Sequence, residues 1–258
     1  MNVLVFDIET IPDVDAGRRL YQLDGLSDED VARALAHKRR EETGESEFLR
    51  LHMHRIVAIS AVLRSGKSLK VWSLGDIEAG EKELIQRFFD GIERYTPTLV
   101  SWNGSGFDLP VLHYRALYHG VASPRYWETG DEDTSFRYNN YLNRFHWRHT
   151  DLMDVLAAYQ LRAAVPLTEL ATLLGLPGKM GMDGGQVWDA YLQGEIAGIR
   201  NYCETDVLNT YLIYLRYELI RGRLTEQGYD DECQRLRETL AAEDKPHLTE
   251  FLHAWEGV

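Results

Sequence analysis

Residues 3–10, Val3-Leu4-Val5-Phe6-Asp7-Ile8-Glu9-Thr10, are the stretch on which the fold turns. The branched and aromatic side chains within residues 2–7 read as a buried strand. Asp7 and Glu9 stand two apart at its end, and on a strand that spacing puts both side chains on one face. Two carboxylates so placed repel, and each raises the other's pKa unless a cation sits between them. Mg²⁺ takes such oxygen ligands and keeps part of its water. The same pair also fits a plain solvated strand end, so the segment needs partners elsewhere in the chain.

Outward from this strand, hydrophobic periodicity predicts helices over 14–22 and 27–40. Two strands follow in His54–Gly75, joined by a turn at Ser65-Gly66-Lys67. Glu81–Tyr95 is an amphipathic helix with Leu84, Ile85, Phe88, Phe89 and Ile92 on one face. A short strand at Thr98 runs into the Gly loop of Asn103-Gly104-Ser105-Gly106. Residues 108–119 then form a helix that tolerates Pro110 in its first turn. Residues 121–148 read as irregular and aromatic, His149–Leu156 as a strand or strand–helix junction, and Leu167–Leu174 as a helix. A long helix runs from about Glu195 to Arg221, with Gly222 as its stop. The tail beyond Leu224 is again helical. This order predicts an α/β fold with a mixed central sheet flanked by helices. No Pro/Ser-rich linker interrupts the chain. The expectation is one domain over 1–258, with a helical insertion at 13–54 and a helical C-terminal extension at 225–258.

Two further segments carry acids. Asp108 follows the Gly loop at the start of a helix, where it suits the helix dipole or could simply cap it. Asn103 reads equally as a turn residue. Tyr202 and Asp206 lie at i and i+4 of the long helix, hence on one face. A phenol and a carboxylate there can share a water or a metal, or be an ordinary core-edge pair.

Taken in order, the segments around Asp7/Glu9, Asp108 and Tyr202/Asp206 resemble the three motifs of the DEDD 3′–5′ exonucleases, in the DnaQ-like, ribonuclease H-like superfamily. The Tyr-x-x-x-Asp form of the third motif resembles the tyrosine branch, DEDDy. The whole, over roughly residues 2–224, is similar to the stand-alone exonucleases related to the exonuclease domain of family B DNA polymerases. The resemblance implies a ribonuclease H-like sheet and an enzyme that hydrolyses phosphodiesters from the 3′ end of single-stranded nucleic acid. DNA is the expected substrate, RNA the alternative, and nucleoside 5′-monophosphates the product. It implies two divalent ions, Mg²⁺ or Mn²⁺, on Asp7, Glu9, Asp108 and Asp206, activating water and stabilising the leaving oxygen. Tyr202 is implied to orient the water, since a phenol with a pKa of about 10 is a poor base at neutral pH. Thr10, Asn103 and Phe107 are implied to contact the terminal nucleotide. A chain of 258 residues is too short to hold the polymerase as well.

The formal net charge of −13 argues against extensive phosphate contacts, unless part of the acidity is a metal site. Cys203 and Cys233 make neither a Cys-x-x-Cys pair nor a zinc cluster, so a reducing cytoplasmic location is expected. The N-terminus shows no basic region of a signal peptide, and no apolar run is long enough to span a membrane.

Other signals compete. Residues 61–68 mimic a phosphate-binding loop, but the alternation that follows makes them a hairpin turn. Asp7-x-Glu9 also resembles in part the Asp-x-Asp of haloacid-dehalogenase phosphatases, which leaves Tyr202 and Asp206 without a role. A third alternative is a binding module without catalysis. Gly175–Gln186 is either a connector or a source of backbone NH groups for phosphate. Residues 126–147 interleave Tyr126, Trp127, Phe136, Tyr138, Tyr141, Phe145 and Trp147 with Arg137 and Arg144, flanked by Arg125 and Arg148, which suits either core packing or stacking on a single strand. Lys38, Arg39, Arg40 and Arg55 could border an entry groove. His149 is expected to be structural.

Overall fold

The structure, a computed structural model, describes residues 2–257. Strand β1 (Asn2–Pro12) is the axis of a five-stranded sheet in the order β3-β2-β1-β4-β5. Here β2 is His54–Ser65, β3 Ser68–Ser73, β4 Thr98–Ser101 and β5 His149–Asp151. The β1/β2 and β2/β3 pairs are antiparallel, and β1/β4 and β4/β5 are parallel. This is the mixed sheet of a ribonuclease H-like α/β fold.

Helices cover both faces, and the alternation of β1 sorts them. Leu4, Phe6 and Ile8 pack with Leu84, Phe88 and Phe89 of α3 (Glu81–Tyr95) and with Leu109 and Leu112 of α4 (Asp108–His119). Val3 and Val5 face the long helix α9 (Ile196–Ile220), with Val207, Leu208 and Tyr211 in the same core. Asp7 and Glu9 continue that odd-numbered face, so the period of two aims both acids at α9. Strand β1 is longer than residues 2–7, and Glu9 and Thr10 lie within it rather than beyond it.

The register slips between Glu9, opposite Ala58, and Thr10, opposite Ile56, which leaves Val57 as an extra residue on β2. Such a bulge re-aims the side chains that follow it. Ile56 thereby joins the α3 core instead of the α9 side.

Residues 13–53 form helices α1 (Val14–Tyr21) and α2 (Asp28–Thr43), with Asp13 and Ser27 as side-chain N-caps. A buried ion cluster pins this insertion to the body. Arg115 of α4 pairs with both Asp13 and Glu81, and Glu81 also accepts from Ile56 N at 2.7 Å. Arg39 pairs with Glu42 and Arg40 with Glu47, so these cations serve the insertion's own surface.

After the irregular span and the short helices α5 (Pro124–Trp127), α6 (Leu152–Leu156), α7 (Leu167–Leu173) and α8 (Val187–Leu192), the chain enters α9. Helices α10 (Glu226–Ala242) and α11 (Pro246–Glu256) then pack on the α9 side of the sheet. Glu204 fastens this extension. It accepts from Ser73 N and Ser73 Oγ, each at 2.8 Å, and pairs with His247 at 2.8 Å and Lys245 at 3.2 Å. These partners hold its carboxyl at about 2 despite burial, which alone would raise it. Residues 65–68 are a hairpin turn, as expected. No helix among the described residues is long and apolar enough to cross a membrane.

Candidate active site

Parallel strands present their carboxyl ends to one edge of the sheet, where α/β folds hold ligands. Strand β4 ends at Ser101, and its pairing with β1 stops at Val5. Beyond that point the β4-side edge of β1 lacks a strand partner, and a buried NH there needs an acceptor. Asp108 supplies it, accepting from Ile8 N through Oδ1 at 3.2 Å. Asp108 is the first residue of α4 and Phe107 occupies the N-cap position. Its carboxyl therefore reaches across to β1 instead of acting as a helix cap.

The loop that delivers Asp108 is tightly built. Asn103 adopts a left-handed φ of 62°, and a Cβ on Gly104 would collide with Ser101 Oγ. Asp151, at the end of β5, accepts from Asn103 N at 2.9 Å and from Ser105 N at 2.8 Å. Both carboxylate oxygens are thus committed to the loop. Asn at 151 can accept through only one oxygen, which leaves one loop NH facing an NH₂ group. Asp151→Asn is expected to lower turnover about 10- to 100-fold with little change in melting temperature, as read by steady-state kinetics and a thermal scan.

From the opposite side, α9 brings Tyr202, Cys203 and Asp206. Burial comes first in raising the carboxyls of Asp7 and Glu9, and repulsion from the other acids adds to it. Asp108 contributes to both shifts, and so does Asp206. Asp108 itself is pushed up to about 7, mainly by burial, against the opposing effect of its backbone hydrogen bonds. Burial also lifts Asp206 to about 6, against the Tyr202 hydroxyl and the positive charge of Lys179. Among the described residues no lysine, arginine or histidine forms an ion pair with any of the four acids. Four mutually repelling carboxylates with no ion-paired cation are the oxygen-rich environment that a hard divalent cation neutralises.

Cys203 is the neighbour that sequence reading missed. Its Sγ lies 3.5 Å from both Asp7 O and Asp7 Oδ2, and ligand atoms of Asp7, Glu9 and Cys203 fall within 4.8 Å of one another. Burial and the adjacent acids push the thiol pKa well up, so it stays protonated and donates to Asp7. A soft thiolate ligand is not available there. Tyr202 is likewise raised by burial and then by Asp206, and the phenol keeps its proton.

Of the three residues expected beside the terminal nucleotide, two come together. Thr10 Oγ1 lies 2.9 Å from His54 Nδ1, and the His54 ring packs edge-on to Phe107 at 5.2 Å. The Leu49 carbonyl can only accept from His54 Nε2, at 3.3 Å, so Nδ1 is the unprotonated nitrogen that receives the Thr10 hydroxyl. Phe48 from the insertion packs on both rings. The Asn103 carbonyl accepts from Phe107 N at 3.0 Å, and Asn103 lines a cavity with Ser105 and Gly106. His54 and Phe48 had no sequence signal beyond being aromatic, because only the fold brings them to Thr10.

The 175–186 loop is fastened to α9. Asn209 of α9 binds both Gly178 N (3.0 Å) and Gly178 O (2.8 Å). The loop, α8, α9 and α11 enclose a cavity of about 740 Å³ that includes Tyr202, Lys179 and His247. His149 is structural as expected, buried with Nε2 at 2.8 Å from Ser101 Oγ and its pKa depressed to about 4 by burial.

Comparison with known proteins agrees with this geometry. The chain is 27% identical over 145 residues to the catalytic subunit of DNA polymerase epsilon from Dictyostelium discoideum, covering 54% of this chain and 6% of that protein. The corresponding polymerase epsilon protein of Kluyveromyces lactis is 28% identical over 152 residues, again 54% of this chain and 6% of the relative. DNA polymerase 1 of Sulfurisphaera ohwakuensis is 54% identical over 37 residues, 14% of this chain and 4% of the polymerase. The chain thus spans only a small fraction of the length of these relatives. A family profile described as a predicted 3′–5′ exonuclease related to the exonuclease domain of PolB matches residues 46–255, most of the chain. With that match and the ribonuclease H-like sheet, the chain belongs to the family of 3′–5′ exonucleases related to the exonuclease domain of PolB.

Proposed function

We propose that this chain is a metal-dependent exonuclease of the DEDDy branch, built as one domain. On this reading it removes nucleoside 5′-monophosphates from the 3′ end of single-stranded DNA. The observation that carries the proposal is the approach of Asp7, Glu9, Asp108 and Asp206 from three separate elements, none of them in an ion pair among the described residues. DNA is proposed because the relatives with matching segments are DNA polymerases. The four carboxylates would hold two divalent ions, Mg²⁺ or Mn²⁺. When bound, such ions supply activation of water and stabilisation of charge on the leaving oxygen.

The chain's own groups divide the remaining work. Asp7 is the acid whose carboxyl all three others raise, so it would be shared between the ions. Asp108 ties its end of the site to the Ile8 amide, so that carboxylate is oriented by the backbone. The protonated Tyr202 hydroxyl, which lies beside Asp206, would orient the attacking water. It takes no proton itself, because its pKa is raised. The Thr10–His54–Phe107 wall would receive the terminal sugar and base.

The direct test is digestion of a 5′-labelled oligonucleotide with Mg²⁺ or Mn²⁺, run beside an RNA of the same sequence and beside Asp206→Ala. Stepwise shortening from the 3′ end that disappears in the variant supports the reading. Equal degradation by the variant sinks it. Tyr202→Phe is expected to keep Mn²⁺ affinity, measured by calorimetry, while kcat falls about 10- to 100-fold. An unchanged kcat would remove Tyr202 from water positioning.

A further inference from the structure

The aromatic and arginine-rich span before β5 has no role in the site described so far. The structure divides it. Tyr126, Phe136 and Tyr141 are core residues, at most 2% exposed. Tyr138 (82% exposed), Phe145 (63%) and Trp147 (51%) stand on the surface.

Charge separates this surface from the rest of the chain. Between Thr134 and Thr168 the formal charges are Arg137, Arg144, Arg148 and Arg162 against Asp151 and Asp154, and both aspartates are buried. Every exposed formal charge in that span is therefore an arginine, on a chain whose net charge is −13.

The arginines and rings are interleaved. The Arg144 guanidinium lies over Phe145 and Tyr159, at 5.9 and 5.3 Å from the ring centroids, and is steadied by Asp154 at 2.8 Å. Arg221, at the end of α9, lies 4.3 Å from the centroid of Trp147 and 4.9 Å from that of Tyr217, and pairs with Glu218 at 2.7 Å. Tyr159 follows Ala158, and both hold left-handed φ values, 60° and 51°.

A cavity joins Arg144 of this surface to the loop that delivers Asp108. A cavity of about 360 Å³ has Asn103, Ser105 and Gly106, in the loop that delivers Asp108, on one side. Leu142, Arg144 and Leu161 close its other side.

From the exposed rings, the arginines held over them and the cavity shared with the Asp108 loop, we infer that the Phe145–Trp147–Tyr159 surface, with Arg144 and Arg221, binds the body of the single strand whose 3′ end lies at the carboxylates. The inference rests on the exonuclease reading above. Bases stack on exposed aromatics without sequence preference, and adjacent arginines answer the phosphates. A rigid duplex cannot present unstacked bases to the same rings, so the surface selects single strands.

The test is binding of fluorescent dT4 and dT20 in Ca²⁺, by wild type and by Phe145→Ala/Trp147→Ala, with circular dichroism to establish folding. Digestion of both lengths in Mn²⁺ runs in parallel. The expected result is that wild type binds dT20 more tightly than dT4. The double variant should lose about tenfold on dT20, and its preference for length should largely vanish. The milder Trp147→Phe should keep most of the affinity. Digestion of both lengths by a wild type whose affinity does not depend on length overturns the surface assignment and leaves the exonuclease reading intact. No binding and no digestion of either length overturns that reading. A wild-type dimer in sedimentation velocity that dissociates in the variant assigns the rings to a second copy of this chain, and also overturns the proposal.

Discussion

Asp7→Asn is expected to lower kcat about a thousandfold or more while raising the melting temperature of the metal-free protein. The two effects have one cause. Asp7 is the acid that the other three all crowd: its carboxyl is raised by burial first and then by Asp108, Glu9 and Asp206. Removing its negative charge relieves that repulsion, so the empty fold gains stability. It also removes the central oxygen ligand of the proposed metal pair, on which positioning and charge stabilisation depend. Sites that work by concentrating like charge characteristically exchange stability for activity in this way. The check is a pair of measurements on one preparation: single-turnover digestion in Mn²⁺, and thermal melting in EDTA. A variant that loses activity but melts lower in EDTA would contradict the account, because the loss would then come from misfolding. The Cys203 thiol can still donate to an amide oxygen at position 7, so the local packing survives the change.

The second large effect is linkage between metal and pH. Asp108 is raised to about 7 and Asp206 to about 6, and Asp7 and Glu9 are also raised. A folded-state pKa above the unfolded value means that stability is fully present below the unfolded pKa and is lost as pH rises through the folded one. In the metal-free protein that stability is lost as pH rises from the unfolded carboxylate range, about 4, through about 6 for Asp206 and about 7 for Asp108. A divalent cation offsets that loss by replacing the protons. The stabilisation by Mg²⁺ or Mn²⁺ is expected to be several degrees larger at pH 8.5 than at pH 5.5, corresponding to a few kcal/mol. Other groups titrate in different windows. Glu204, depressed to about 2, gives stability present above its unfolded value and lost as pH falls toward 2. His54, His113 and His149 are depressed by burial, so they favour the folded state above their unfolded pKa near 6.5. These groups act with and without metal, and their effects cancel in the difference. Calorimetric melts at the two pH values, with saturating Mn²⁺ and with EDTA, give that difference. Equal metal shifts at both pH values would mean that the carboxylates do not carry the linkage.

Regular elements were legible from pattern. The span Glu81–Tyr95 is set by its apolar stripe, and 108–119 by a Gly loop at one end and Gly120 at the other. The long helix of 196–220 lies within a residue of its expected limits. Strand β1 ran further than its apolar run, because Glu9 and Thr10 are held by pairing with β2, which hydropathy does not register. The aromatic span split into core and surface residues that look alike in sequence. Tyr126 and Trp127 are neighbours, yet one is sealed in the core and the other is exposed, since only the body of the domain decides which ring finds a partner.

The same division runs through the site. The sequence by itself supplied the five candidates, Asp7, Glu9, Asp108, Tyr202 and Asp206: local spacings of two on a strand and four on a helix made the two pairs, and the resemblance to the exonuclease motifs joined them to Asp108. Tertiary structure alone decided what surrounds them. Cys203 beside Asp7, Asp151 beneath the Asn103 loop, His54 between Thr10 and Phe107, and Glu204 bound to His247 are contacts between residues distant in the chain. No periodicity encodes such pairs, since each depends on where β1 stops pairing and on which face α9 presents to it.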